Sequence, residues 1–587
     1  DRMSWKRRMR SKPNSPPFSL TCMRRKAKLS TIIRAAPPPI VLALGSQRTG
    51  ACRTCTSIAV TGSSMWTGAI TLIASVPLFV RLTGLDYFEF GNSFPEYFAG
   101  AFGLVAIVVL PPATILGTVL PTIWNSADSS SRDAGHVVGQ ITLINTLAAA
   151  AGSITASFFL LQIFGLWGSF VFIGLLLTLL AVLFLVRQRR FAGAIAVLLM
   201  CSAAGAVIVI EPGPERWAGY EPRERLLRRW NSPYGWIDVV HLMPDDTLKI
   251  RQNLHYRFGD TGAQSSRESR QAHIPLLLHP EPSDVLFLGL GTGITAAGAI
   301  LHAEVHHATV VELIPEVIDA ARLLEDDNLG VVDHPRCTID TDGARHLLFA
   351  TDREFDVIVS DLFVPWESES GYLYTVEHYQ TAETRLRSGG LFCQWLALYQ
   401  LGAQEFEMIA DSFASVFTHT TLWWGRLHSD RPILALIGSD SPIFVDVHAV
   451  NARLEALRST SSYSDDELQT VDDLTFRLIG SWSARATDEL NTDEFPRLEF
   501  SAPVAHRDGQ TLRGREFRQY FDQAFAPIHE SGAVLSNESS RPWDDAELRL
   551  AWQRLIFWGD PSGADATAEL DRNVTPASPD RRAHETE

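Results

Sequence analysis

A chain of 587 residues is too long for one ordinary domain and predicts two or three. Of its 51 basic and 67 acidic residues, residues 1–60 hold thirteen Lys or Arg and only Asp1, which leaves 38 basic and 66 acidic residues, a net −28, for the rest. An acidic body excludes a general nucleic-acid binder, which needs clustered Lys and Arg against phosphate. The six scattered cysteines (Cys22, Cys52, Cys55, Cys201, Cys337, Cys393) exclude a disulfide framework.

In chain order, residues 1–60 are basic, rich in Ser and Pro and without a sustained apolar period, so they are expected to be disordered. Residues 61–212 read as a transmembrane helical domain of about five helices. Residues 97–126 and 137–186 contain no charged side chain, and the second window holds two spans of about 20 residues with a turn near Phe164–Gly168. The remaining spans are Trp66–Val80, Phe98–Trp124 (with Pro111 and Pro112 kinking it) and Ala192–Ile210. Gln140 and Asn145 read as interhelical hydrogen-bond partners, and Ala148–Gly152 with Ser153 and Ala156 suits close helix packing. Membrane lipid is therefore an expected partner. Arginines flank both ends of the last span, so charge alone leaves the orientation open.

Residues 213–283 read as a β-hairpin module. Trp236–Leu242 and Thr247–Arg251 form the strands around a turn at Pro244–Asp246, and a helix over Gln271–Leu278 follows. Residues 284–440 alternate strands and helices, the pattern of a mostly parallel α/β sheet. The stretch DVLFLGLGTGITAAGAILHAEVHHATVVE, Asp284–Glu312, gives a buried strand, three glycines (Gly289, Gly291, Gly293), a helix from Thr295 to Leu301, a second strand and an acid. This is the order of a nucleotide-binding βαβ unit: glycines let the backbone approach a ligand, and Glu312 can accept from both ribose hydroxyls. Both a dinucleotide fold and a class I S-adenosylmethionine-dependent-methyltransferase-like (Rossmann-like) fold fit, and GxGxG rather than GxGxxG favours the second.

Two further acids follow strands. Asp342-Gly343, after Cys337–Ile339, can offer a carboxylate and a backbone N–H to an adenine edge. Asp361, after Asp356–Ser360, can serve as general base or orient a reacting amine. The segment after Asp361 reads as a lid whose Phe363 and Trp366 stack on a base or bury a hydrocarbon chain, with Tyr374 near its end. Residues 441–558 form an accessory helical region, with helices over Val445–Leu457 and Asp465–Leu478. Residues 559–587 read as a disordered tail.

The motifs GLGTGITAAG, VVELIPEVIDAAR, DTDGARHLL, FDVIVSDLFVPW, LYTVEHYQ and LRSGGLFCQWL together resemble the spermidine synthase (polyamine aminopropyltransferase) family. PPATILGTVLP and GHVVGQITLINTLAAAAGS resemble its membrane-fused bacterial branch. The resemblance implies a transferase that joins a decarboxylated S-adenosylmethionine donor to a small-molecule amine acceptor, without a metal, in the polyamine pathway. It implies a homodimer, since the family tends to dimerise. Glu312 would hold the ribose, Asp342 and Gly343 the adenine, and Asp361 would match the first acid of the family's DxxDP segment. Acceptor contacts would come from Gln264, Phe363, Trp366 and Tyr374.

The chain also departs from the family. Thr292 stands where the glycine loop carries an Asp for the donor's amino group, and Val364 replaces the second DxxDP acid. Ser269 falls at the acceptor-side Glu, and no Tyr is matched near Thr421–Gly425. Those changes keep two alternatives open: an S-adenosylmethionine-dependent methyltransferase, and a non-catalytic nucleotide- or polyamine-sensing membrane protein. Supply of an adenosyl nucleotide places the soluble domain in the cytosol and the helices in a bacterial inner membrane.

Overall fold

The computed structural model describes residues 53–84, 93–126, 134–187, 223–243, 245–253, 256–262, 265–485, 489–528 and 545–559. The predicted span Ala192–Ile210, the candidate Gln264, nearly all of the basic arm and all but the start of the tail lie outside these residues.

Among the described residues, three helical stretches are long and apolar enough to cross a membrane: Thr61–Thr83, Pro95–Trp124 and Gly135–Arg187. The last runs for 53 residues, more than twice the roughly 20 that one crossing needs. Gly165 interrupts it with φ 67° and ψ −176°, inside the predicted turn Phe164–Gly168. Phe102, Ile144 and Ile163 leave their side chains exposed along these stretches.

The module that follows is larger than the predicted hairpin. β1 (Glu224–Ser232), β2 (Gly235–Leu242), β3 (Thr247–Gln252) and β4 (Tyr256–Asp260) form one antiparallel sheet in sequential order. The Arg-rich β1 qualifies as a strand because its cations find partners on the sheet: Arg229 sits opposite Asp238 and grips both its oxygens at 2.7 Å. Ile237, Val239 and Ile250 pack this sheet on Ile314, Val317, Ala320 and Leu324, in and around the Pro315–Ala321 helix.

The second sheet has eight strands: β5 (Asp284–Leu288), β6 (His307–Glu312), β7 (Cys337–Thr341), β8 (Phe355–Ser360), β9 (Leu386–Ala397), β10 (His419–Arg426), β11 (Ile433–Ser439) and β12 (Leu478–Ser481). Their order is β12-β10-β11-β9-β8-β5-β6-β7. The pairings among β5 to β9 are parallel, whereas β11 lies antiparallel between β9 and β10, and β12 is antiparallel to β10. The sheet is therefore mixed, a class I methyltransferase-like α/β fold, rather than mostly parallel throughout.

Period-two alternation feeds two cores, as a sheet covered on both faces requires. Val285, Phe287, Val357, Val359, Cys393 and Trp395 enter one, and Leu286, Leu288, Ile358, Phe392, Leu396 and Trp424 the other. The Ser265–Leu278 helix belongs to the first core through Ala272, Ile274 and Leu276 to Leu278.

The accessory region corrects one expectation. Asp465–Leu478 is not one helix. A capping box of Thr470 and Asp473 starts a short helix only at Val471–Phe476, and Leu478 opens β12. Further helices at Arg497–Arg507, Gly514–Tyr520 and Ala546–Trp558 complete the region.

Candidate active site

The glycine loop after β5 is shaped by left-handed backbone at Gly289 (φ 101°), Gly291 (φ 54°) and Gly293 (φ 82°), which side-chain-bearing residues rarely adopt. Gly291 is also constrained by space: a Cβ there would lie 3.1 Å from the carbonyl oxygen of Phe258. Strand β4 thus closes over the loop. At Gly289 a Cβ would meet only the ring of Phe363, at 3.7 Å, so the aromatic lid residue and the loop face each other.

Glu312 ends β6 and is buried. Its two oxygens accept from the Leu290 N–H at 3.0 Å and the Ile314 N–H at 2.9 Å. The acid thereby ties the glycine loop to the end of β6. Burial holds its carboxyl above the usual range, although the Ile314 and Leu290 bonds pull the other way.

Asp342 follows β7, the neighbour of β6, and its N–H donates to the backbone carbonyl of Glu312 at 3.1 Å. The two predicted nucleoside-binding acids therefore stand side by side at one sheet edge. The Asp342 carboxylate accepts from the Gly343 N–H at 2.7 Å and pairs with His346 Nδ1 at 2.6 Å. That histidine bond is the chief cause of its depressed pKa.

Asp361 follows β8, accepting from the Thr295 hydroxyl at 3.1 Å and the Leu362 N–H at 2.7 Å. Burial pushes its carboxyl up, against those bonds. Thr295 lies in the Ile294–Ile300 helix immediately after the glycine loop, so Asp361 and the loop are joined directly.

One acid was missed by sequence reasoning. Glu268, buried on the Ser265–Leu278 helix, accepts from the Thr292 hydroxyl at 2.8 Å and from Arg267 Nη2 at 3.2 Å. Burial pushes its carboxyl up to about 7, opposed by Arg267 and the Thr292 bond and reinforced by Asp361 and Asp260. Its only sequence signal was its place beside Ser269. Glu268 thereby sets a carboxylate against the Thr292 hydroxyl of the glycine loop from another element.

The remaining predicted residues divide. Tyr374 is buried and donates its hydroxyl to the Phe363 carbonyl at 3.1 Å, which shapes the lid from within. Trp366 stacks on His506 with ring centroids 3.6 Å apart and planes 12° from parallel, so that ring face is occupied by the accessory region. Glu499 accepts from the backbone N–H groups of Glu369 and Gly371, and Asn491 Nδ2 donates to the Gly371 carbonyl at 2.8 Å. The lid is thereby strapped to the C-terminal helices.

The Spermine/spermidine synthase domain matches residues 266–424. Polyamine aminopropyltransferase 1 of Hyperthermus butylicus is 33% identical over 223 residues, 36% of this chain and 73% of that protein. The polyamine aminopropyltransferase of Thermotoga petrophila is 32% identical over 157 residues, 26% of this chain and 52% of that one. The chain thus spans about half the length of several curated relatives it matches. The crystal structure of spermidine synthase from Thermotoga maritima aligns with a TM-score of 0.36 at 22% identity, over 42% of this chain and 82% of that one. By the Hyperthermus match, this chain belongs to the spermidine synthase (polyamine aminopropyltransferase) family.

Proposed function

We propose that the protein is a membrane-anchored, spermidine-synthase-like transferase that moves an aminopropyl group from decarboxylated S-adenosylmethionine to an amine. The observation that carries this reading is the joining of Glu312, Glu268 and Asp361 to one glycine loop and the helix after it, through the Leu290 N–H, the Thr292 hydroxyl and the Thr295 hydroxyl respectively. Glu312 holds the ribose hydroxyls, Asp342 and Gly343 the adenine, and the glycine loop the thioether region. For the adenine to be read, Gly343 releases its bond to Asp342 and offers its N–H to the base. Glu268, presented through Thr292, receives the donor's ammonium.

The reaction is a displacement. The neutral amine nitrogen of the acceptor attacks the propyl carbon beside the sulfonium, a C–N bond forms, and the C–S pair leaves with sulfur as a neutral thioether. Asp361 takes the proton, since an ammonium has no lone pair with which to attack. A carboxyl raised by burial suits that role, because its affinity for a proton is higher than in water. The three apolar helices Thr61–Thr83, Pro95–Trp124 and Gly135–Arg187 anchor the domain in the bacterial inner membrane, with the catalytic domain facing the cytosol where the donor is made.

The test is turnover by the full chain in detergent, with products read by mass spectrometry. Methylthioadenosine formed from the decarboxylated donor and an amine supports the proposal. S-adenosylhomocysteine formed from S-adenosylmethionine instead would replace it with methyl transfer.

A further inference from the structure

The glycine loop follows β5 and the acids Glu312, Asp342 and Asp361 stand at the ends of β6, β7 and β8, but the same sheet edge continues across β9, β11 and β10. β10 points the same way as β8, being separated from β9 by one antiparallel strand, so its last residue, Arg426, emerges at the edge where Asp361 stands. Between β8 and β10 lie three strand spacings, about 14 Å at about 4.8 Å each. Arg426 is half-buried, and its guanidinium makes no hydrogen bond, ion pair or ring contact among the described residues. A guanidinium removed from water is costly to leave unpaired.

A second cation points to the same place. Arg270 of the Ser265–Leu278 helix donates to the carbonyl of Gly425 at 3.0 Å, and Arg267 lies one turn earlier on that face of the helix. Arg267 is bonded to Glu268 through Nη2, while its Nε is buried without a partner. Burial, and after it Arg267 and Arg431, hold the Arg426 pKa below the usual range, against the opposing effects of Tyr399 and Glu467. The nearby Glu467 carboxylate is already held by Arg270 at 2.7 Å and Arg477 at 2.8 Å, so a second ammonium on the acceptor would meet the guanidinium groups of Arg426 and Arg267. The carboxylates expected for a diamine are Ser269 and Val364 in this chain.

Resting on the transferase reading above, we propose that the acceptor is a primary amine carrying a carboxylate several carbons away, its amine at Asp361 and its carboxylate on Arg426 with Arg267. Position selects the acceptor over the donor as the source of that carboxylate, because Arg426 lies on the far side of Asp361 from the glycine loop.

The experiment compares 1,4-diaminobutane with 4-aminobutanoate and 5-aminopentanoate as acceptors, using the full chain in detergent and the decarboxylated donor. The expected result is a kcat/KM at least about 10-fold higher for an aminocarboxylate, a preference that Arg426→Gln removes and Arg426→Lys partly keeps. Methylthioadenosine binding by calorimetry should be equal in all three proteins, which separates loss of the acceptor contact from misfolding. A preference for the diamine, or one for the aminocarboxylate that survives Arg426→Gln, overturns the proposal. Should no amine be consumed, calorimetric binding of the aminocarboxylate to the methylthioadenosine complex, lost in Arg426→Gln, would sustain the site while the transfer reading fails. Failure of methylthioadenosine itself to bind defeats both.

Discussion

The two halves of the candidate site are built by different means. In the proposed donor half, β5, β6 and β7 end side by side, and the acids there are fixed by backbone: Leu290 and Ile314 N–H groups on Glu312, the Gly343 N–H on Asp342. In the proposed acceptor half, position depends on side chains arriving from remote segments. Arg267 comes from the Ser265–Leu278 helix, Arg426 from β10, and Glu499 and His506 from the Arg497–Arg507 helix. A half made from strand ends can be kept through local motif, whereas one made from imported side chains can be re-specified one residue at a time. On the proposed reading, that contrast is what would let the acceptor half change while the glycine loop and its acids stay in place.

The sharpest way to break the comparison is at the boundary between the halves. Asp361→Asn keeps size and removes the proton acceptor, so kcat should fall by about 10² to 10⁴-fold. Methylthioadenosine affinity, measured by calorimetry, should stay within about twofold. If affinity fell as far as kcat, Asp361 would be part of the nucleoside site and the division drawn here would be in the wrong place.

Within the donor half, Glu312→Gln retains one acceptor oxygen but removes the charge that receives the Leu290 and Ile314 N–H groups. Hydrogen bonds to a charged group contribute about 1.5–3 kcal/mol each. Methylthioadenosine affinity should therefore drop by about 10- to 150-fold, with the KM for the acceptor little changed. A rise in acceptor KM without loss of nucleoside affinity would reverse the assignment of the halves.

How much of this could be read from the sequence follows the same line. β5, β6 and β8 announce themselves as short apolar runs because both sheet faces are covered, and the glycines and acids between them keep fixed spacing. β1 escaped because its arginines read as a membrane flank until Asp238 is seen opposite Arg229. β12 escaped because Leu478–Ser481 is too short to carry a period, and only its pairing with β10 makes it a strand. Glu268 could not be assigned from spacing, since its meaning depends on the helix crossing above Thr292. Arg267 and Arg426 lie far apart in the chain, and only the α/β fold brings them to one edge. Trp366 was expected over the ligand, and its stacking on His506 required knowing where the Arg497–Arg507 helix docks.

A smaller effect sharpens the comparison through pH. Glu268 is pushed up to about 7 by burial, above its unfolded value of 4.5. The folded protein therefore holds more protons than the unfolded one between those values, and stability falls as pH rises through that window. The donor's ammonium favours the ionised form, so affinity for decarboxylated S-adenosylmethionine should rise about tenfold from pH 6 to pH 8. Methylthioadenosine, which has no ammonium, should bind equally at both. Glu268→Gln should flatten the donor's profile and also remove the fall in unfolding free energy. A slope shared by both ligands would mean that another group is titrating.

The smallest expected effect concerns the strap on the lid. Glu499 accepts two lid N–H groups, from Glu369 and Gly371, and Glu499→Gln weakens both without emptying the space. Opening of residues 369–371 should become easier by roughly 1–2 kcal/mol, read as about 5- to 30-fold faster amide exchange there. Because the lid begins at Asp361 and ends at Tyr374, its loosening should raise the acceptor KM a few-fold and leave nucleoside affinity alone. The ring of Phe363 brings the lid against the glycine loop at Gly289. If Glu499→Gln weakened methylthioadenosine binding as much as acceptor binding, that contact would make the lid common to both halves, and the acceptor side would then be re-specified only at the expense of the donor's grip.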